Sequence, residues 1–142
     1  MIDLDRFKLV NDGHGHATGD ELLKMMAAGL TAVAAESAAD ETTVVRQGGD
    51  EFLISLHAGH ALDSKDLAEA LDRLRLTTMT TSDGAEIPLA FSYGMSSDAG
   101  SPDLLSMIRS ADLAAYEDKA RRRSVEQLRP PAPADERGHA AA

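Results

Sequence analysis

Hydrophobic residues recur along this chain with two different periods. Leu22, Met25, Met26, Leu30 and Val33 fall at helical spacing, and Thr18 with Glu21 ahead of them forms a T-x-x-E capping box, which predicts a helix starting at Thr18. Thr43 to Gln47 (TVVRQ) and Phe52 to Leu56 (FLISL) are short β-branched or apolar runs. Little more than Gly48 and Gly49 separates them, which predicts a hairpin. Ser64 opens a second helix with Leu67, Leu71 and Leu74 on one stripe. Ile87 to Met95 (IPLAFSYGM) reads as a strand, with Pro88 near its start where a lost amide donor matters least. Ser101-Pro102-Asp103 predicts the start of a third helix, with Leu105, Ile108, Ala111 and Ala115 as its buried face. Met1 to Leu4 is a short apolar segment that reads as the end of a strand.

The order is therefore β-α-β-β-α-β followed by a helix, the split βαβ, ferredoxin-like arrangement of an α+β fold. In that arrangement the first and third strands are antiparallel neighbours. The end of the first, Asp3-Leu4-Asp5, then lies beside the start of the third, Gly48-Gly49-Asp50-Glu51. Carboxylates far apart in sequence are predicted to share one edge of one sheet.

Composition narrows the class. The 142 residues suit one domain, expected over residues 1–128, and the Pro- and Ala-rich stretch from Arg129 (RPPAPADERGHAAA, residues 129–142) is expected to be a disordered tail. There is no repeat at a fixed period. The opening MIDLDRFK is unlike a signal peptide, and no apolar run could span a bilayer, so a cytoplasmic location is expected. The absence of cysteine excludes disulfides and thiolate chemistry. A net charge of -10 argues against a nucleic-acid partner. It does not argue against a phosphorylated small molecule if divalent cations lie between carboxylates and phosphates.

Two acid clusters at abutting strand ends, with no histidine or cysteine interleaved, favour a hard cation such as Mg²⁺, with Mn²⁺ as an alternative. Strand-end acids are also ordinary turn residues, and a double glycine alone is common in hairpins. Asp20, read as lying in the first turn of its helix, could simply complement the helix dipole. Lys119 and Arg123 are four apart and share a helix face, where cations often only offset the dipole. His14 and His16 lie on a Gly-rich stretch read as a loop, and two histidines without other soft ligands make a weak transition-metal site.

The segment Arg46-Gln47-Gly48-Gly49-Asp50-Glu51-Phe52 is more specific, because it holds an intact GGDEF signature in a β-turn-β context. With it, Asp3-Leu4-Asp5-Arg6-Phe7-Lys8 resembles a D-x-D-x-F-K segment. Asn11-Asp12, Gly15-His16 and Gly19-Asp20 resemble an N-D, G-H, G-D series, and Ala111-Asp112 through Tyr116 and Lys119 an A-D-x-A-x-Y-x-x-K helix. From residue 2 to about residue 125 the chain resembles the GGDEF domain of diguanylate cyclases, which condense two GTP into cyclic di-GMP and two pyrophosphates. The resemblance implies that Asp3 and Asp50, with the carbonyl of Leu4, hold Mg²⁺. Asp50 would also be the base that accepts the ribose 3′-hydroxyl proton, with Glu51 supporting metal or base. Lys8 would stabilise charge on the phosphates. Asn11 and Asp20 would recognise guanine with His16 nearby, Gly48 and Gly49 would leave room for the nucleotide, and Lys119 and Arg123 would contact the terminal phosphates. One site holds one GTP, so a homodimer is implied.

The resemblance has three departures. Family members carry a helix and a D-x-L-T-G-L-x-N-R segment ahead of the D-x-D strand, which this sequence lacks, so an N-terminally truncated domain is expected. Where many members have an R-x-x-D inhibitory site, this chain has Ala39-Asp40-Glu41-Thr42, so product inhibition there is not expected. Arg121-Arg122-Arg123-Ser124 replaces the usual Gly-Arg-Asn. A diguanylate cyclase is the leading reading. A catalytically inactive GGDEF module that binds GTP or a signalling partner is the alternative, and a template-dependent polymerase of similar fold is disfavoured by the acidic charge.

Overall fold

In the computed structural model, which describes residues 1–97 and 103–127, the elements run β1 (Ile2–Leu4), α1 (Phe7–His14), α2 (His16–Glu36), β2 (Glu41–Gly48), β3 (Glu51–His57), α3 (Ser64–Leu74), β4 (Thr78–Thr80), β5 (Glu86–Pro88), β6 (Phe91–Tyr93) and α4 (Leu104–Gln127). One antiparallel sheet has the order β2-β3-β1-β6, and β4 and β5 form a separate ribbon. The α+β, ferredoxin-like expectation therefore holds, with β6 as the fourth strand. β1 is short but central. It pairs with β3 through Ile2↔Phe52 and Asp3↔Glu51, and with β6 through Ile2↔Tyr93, Asp3↔Ser92 and Leu4↔Phe91.

Alternation along β1 sends Ile2 and Leu4 to one face, where they are buried with Phe52 and Phe91 against Leu22, Met26, Leu30 and Val33 of α2 and Leu71 of α3. Burying each large side chain contributes about 1.5–3 kcal/mol. Asp3 points to the opposite face, which α4 partly covers. There α4 packs on β6 at very short range. A Cβ on Gly94 would lie 2.1 Å from the Ala111 carbonyl oxygen and 2.2 Å from the Ala115 nitrogen.

Several expectations need correction. Residues 7–14 form a helix rather than a loop: Arg6 takes a left-handed conformation (φ 59°), and its carbonyl accepts from the Leu9 and Val10 amides. Phe7 and Val10, one turn apart, then pack on the core. Gly15, with φ 84°, separates α1 from α2, so α2 begins at His16 and not at Thr18. No capping box forms, because the Thr18 hydroxyl donates to the His14 carbonyl (2.9 Å). Asp20 accordingly lies beyond the first turn, which weakens its reading as a dipole complement. The strand expected over 87–95 is split. Pro88 closes β5 instead of opening a long strand, and the Leu89 amide bonds Thr77 before the chain turns to pair with β1. β4 was not anticipated. Leu105 is 63% exposed, so the buried face of α4 consists of Ala111 and Ala115 with Ile108 half-buried. Ser101, Pro102 and the expected tail lie outside the described residues. No helix among the described residues is long and apolar enough to cross a membrane.

Candidate active site

The hairpin between β2 and β3 is built by its glycines. Gly49 has φ 55°, a left-handed conformation that costs glycine little. The register shifts between Arg46 and Gly48, a bulge that turns Asp50 and Glu51 toward β1. The Arg46 guanidinium locks the turn by donating twice to the Gly49 carbonyl, at 3.0 and 2.7 Å. The Leu4 amide then donates to the Asp50 carbonyl (3.1 Å), joining the end of β1 to the turn.

Asp3 and Glu51 are directly opposed across β1 and β3, so their side chains share the face that α4 approaches. Like charges in that position repel each other. A cation offsets that repulsion, and α4 supplies one: the Lys119 ammonium bonds the Asp3 carboxylate. Asp3 also pairs with Ser92, whose hydroxyl donates to both oxygens of Asp5 (3.0 and 3.1 Å), with Arg122 Nε 3.7 Å from the same carboxylate. This edge of the sheet thus gathers carboxylates and attracts cations. Among the described residues, no three carboxylate or histidine side chains form a ready-made metal cage. A Mg²⁺ ion typically draws one or two carboxylates from a protein and the rest of its ligands from phosphates and water. Asp3, Asp50 and the Leu4 carbonyl are all hard oxygen donors, so the donor set fits the group.

The guanine candidates lie on the next two helices. Asn11 of α1 rests against Gly19 of α2. Its Oδ1 is buried without a hydrogen-bond partner, and a Cβ on Gly19 would stand 1.9 Å from it. Asp20 follows Gly19 directly and is exposed, as are His16 and Lys8. Arg123 is exposed one turn beyond Lys119, and both border a cleft of about 1080 Å³ between α1, β5 and the end of α4. Arg6, Arg121 and Arg122 also line this cleft above the apolar side chains of Leu9 and Ile87. None of Asn11, Asp20, Asp50 and Glu51 borders it. The structure therefore brings together Asp3, Leu4, Asp50, Glu51 and Lys119, and separately Asn11 with Gly19. The carboxylate edge, rather than the cavity, carries the chemical signal.

Two features escaped the sequence reading. Asp5 stood in the D-x-D run without a role, although it holds Ser92 and faces Arg122. The second is a cluster at the β6 edge centred on Arg75 and Asp118, residues 43 apart with no shared motif. Beside it, burial pushes the Tyr93 phenol above its usual range and the neighbouring Asp72 carboxylate adds to the rise.

Comparison with known proteins gives a consistent result. Residues 1–125 match the family model described as "Diguanylate cyclase, GGDEF domain". The chain is 34% identical over 129 residues to diguanylate cyclase DosC of Escherichia coli (strain K12), covering 90% of this chain and 27% of that protein. It thus spans about a quarter of that relative's length. Its fold is similar to the GGDEF domain of PA1120 (YfiN or TpbB) from Pseudomonas aeruginosa, with a TM-score of 0.70 and 27% identity, covering 84% of this chain and 73% of that one. It is also similar to the GGDEF domain of DgcB from Caulobacter crescentus, solved in complex with c-di-GMP, with a TM-score of 0.66 and 25% identity over 84% of this chain and 69% of that one.

Proposed function

The chain belongs to the GGDEF-domain family of diguanylate cyclases, and from that premise we propose that it joins two GTP molecules into cyclic di-GMP, releasing two pyrophosphates, in the cytoplasm. The observation that carries this reading is the register that opposes Asp3 and Glu51 beside a glycine turn bearing Asp50. Asp3, Asp50 and the Leu4 carbonyl would hold Mg²⁺, or Mn²⁺ in its place. Bound there, the ion would offset negative charge on the phosphate oxygens.

The protein's own groups do the rest. Asp50 accepts the proton of the 3′-hydroxyl as that oxygen bonds the α-phosphorus of the second nucleotide, and the bond to the β-phosphate oxygen breaks to release pyrophosphate. Glu51 keeps the carboxylate edge negative, and Lys8 offsets charge on the phosphates. Asn11 and Asp20 select guanine, whose N1-H and 2-amino group match a carboxylate acceptor, with His16 nearby. Gly48 and Gly49 leave the hairpin without side chains that would obstruct a nucleotide. Lys119 and Arg123, which line the cleft, hold the terminal phosphates.

Each ring closure needs two nucleotides while one site holds one, so two copies must face each other, and this proximity supplies much of the rate. The test is direct. Purified chain at high concentration with GTP and Mg²⁺ should form cyclic di-GMP, and Asp50→Ala should reduce turnover by roughly the 100- to 10,000-fold that a general base contributes. Equal rates for the two proteins would sink the assignment. Tight GTP binding without turnover would replace it with a nucleotide-binding module.

A further inference from the structure

We infer that Arg75 and Asp118 are positioning residues that aim Lys119 at Asp3 and, on the functional reading above, at the terminal phosphates of GTP. The argument begins with how α4 is attached. Its closest approach to the sheet, just after β6, is Gly94 against Ala111 and Ala115, which have no side chains long enough to fix the rotation of the helix. A helix resting on small residues can turn or slide unless something pins it.

Asp118 is the pin. Its Oδ2 accepts from the Tyr93 amide (3.2 Å) and from Arg75 Nη2 (2.5 Å). Arg75 is itself fixed on every side. Nε donates to the Phe91 carbonyl (2.9 Å), Nη1 donates to Asp72 (2.9 Å), and the guanidinium stacks on Tyr93 and Phe91 at 4.3 and 5.1 Å from their ring centroids. A planar fork held at this many points is pre-organised, which a lysine could not reproduce. The side chains of Arg75 and Asp118 are only 12% and 17% exposed.

The geometry then follows from register. Asp118 is tied to Tyr93, and Ser92, the residue before Tyr93, pairs with Asp3 on the next strand. Successive helix residues point about 100° apart, given 3.6 residues per turn. Holding Asp118 on β6 therefore directs Lys119 across to β1, where its ammonium meets Asp3. An ion pair buried to this degree is weak evidence for stability, because its desolvation offsets much of its attraction. Placement is what it provides.

The test reads Lys119 directly. In a ¹H–¹⁵N spectrum of lysine side chains at low temperature, the paired Lys119 ammonium should give a slowly exchanging signal, assigned by its loss in Lys119→Arg. Asp118→Ala, which removes the acceptor shared by the Tyr93 amide and Arg75, should remove that signal in a chain that circular dichroism shows to be folded, and Arg75→Gln should do the same. A signal that persists in both variants overturns the inference.

A second readout is the affinity for a non-hydrolysable GTP analogue with Mg²⁺. Asp118→Ala should weaken it about tenfold, the scale of one hydrogen bond to a charged group. Combined with Lys119→Met it should weaken binding no further than Lys119→Met alone, whereas fully additive losses would show that Asp118 does not act through Lys119. If the unaltered chain binds no nucleotide, the functional reading fails, and the ammonium signal alone decides the positioning claim.

Discussion

The two faces of the four-stranded sheet are built on different principles. On one face Ile2, Leu4, Phe52 and Phe91 are at most 2% exposed and pack against apolar residues of α2 and α3. The other face carries Asp3, Glu51 and Ser92 and meets α4 through small residues and ion pairs. Burial of apolar area is non-directional, so the first face supplies stability without needing fine geometry. Charged contacts are directional and contribute little net stability, so the second face spends its contacts on placement. Substitutions on the first face should therefore unfold the protein, while those on the second should leave it folded with an impaired site.

The largest expected effect tests the first half of that contrast. Phe52→Ala removes a fully buried ring that pairs with Ile2 at the centre of the sheet. It should cost about 3–5 kcal/mol, read from the midpoint of a urea transition. A loss below about 1 kcal/mol would mean that this face is not the source of stability. Next is Gly94→Ala, whose added methyl would overlap the backbone of α4. Overpacking of this kind costs about 1–3 kcal/mol. Here the chain should remain folded but with α4 displaced, so the Lys119 ammonium signal should vanish. Its survival would show that α4 is held by something other than this close approach.

Gly19→Ala should have a smaller thermal effect and a clear functional one. The new methyl collides with the end of the Asn11 side chain, which can swing aside, rather than with backbone. Swinging aside moves the amide assigned to guanine. Affinity for GTP should fall several-fold while affinity for inorganic triphosphate stays unchanged, measured by calorimetry. Equal weakening for both ligands would separate Asn11 from base recognition.

How much of this was legible in the sequence depends on how local each signal is. The hairpin and the meeting of Asp3 with Glu51 could be read, because β-branched runs, a double glycine and the order of elements force them together. α1 could not. Asn11-Asp12-Gly13-His14 are poor helix formers, and the helix exists because Arg6 turns the chain and Phe7 and Val10 find the core. β4 has only three residues (TMT), too few to show alternation, and its partner β5 ends at a proline that also hides the change of partner strand. The Arg75–Asp118 cluster is a long-range polar contact, and neither residue belongs to a spacing pattern that would mark it. Leu105 was misassigned because helical spacing identifies a stripe but not how wide a face the sheet covers.

The smallest predicted effect is also the sharpest test of the two-face contrast, because it concerns adjacent residues. Val44 and Val45 are neighbours in β2 and pair with Ile54 and Leu53. Alternation sends Val44 to the face packed under α2, while Val45 is 42% exposed on the other. Threonine has nearly the shape of valine and the same preference for strands, so a Val→Thr change at either site alters little except polarity. At position 44 the hydroxyl enters a partly buried apolar setting and should cost about 1 kcal/mol, the lower end for an uncompensated polar group. At position 45 the change should stay within about 0.5 kcal/mol, as for ordinary surface substitutions. Equal losses at the two sites, measured in parallel urea transitions, would mean that both faces are equally covered, and the division between a stabilising face and a placing face would collapse.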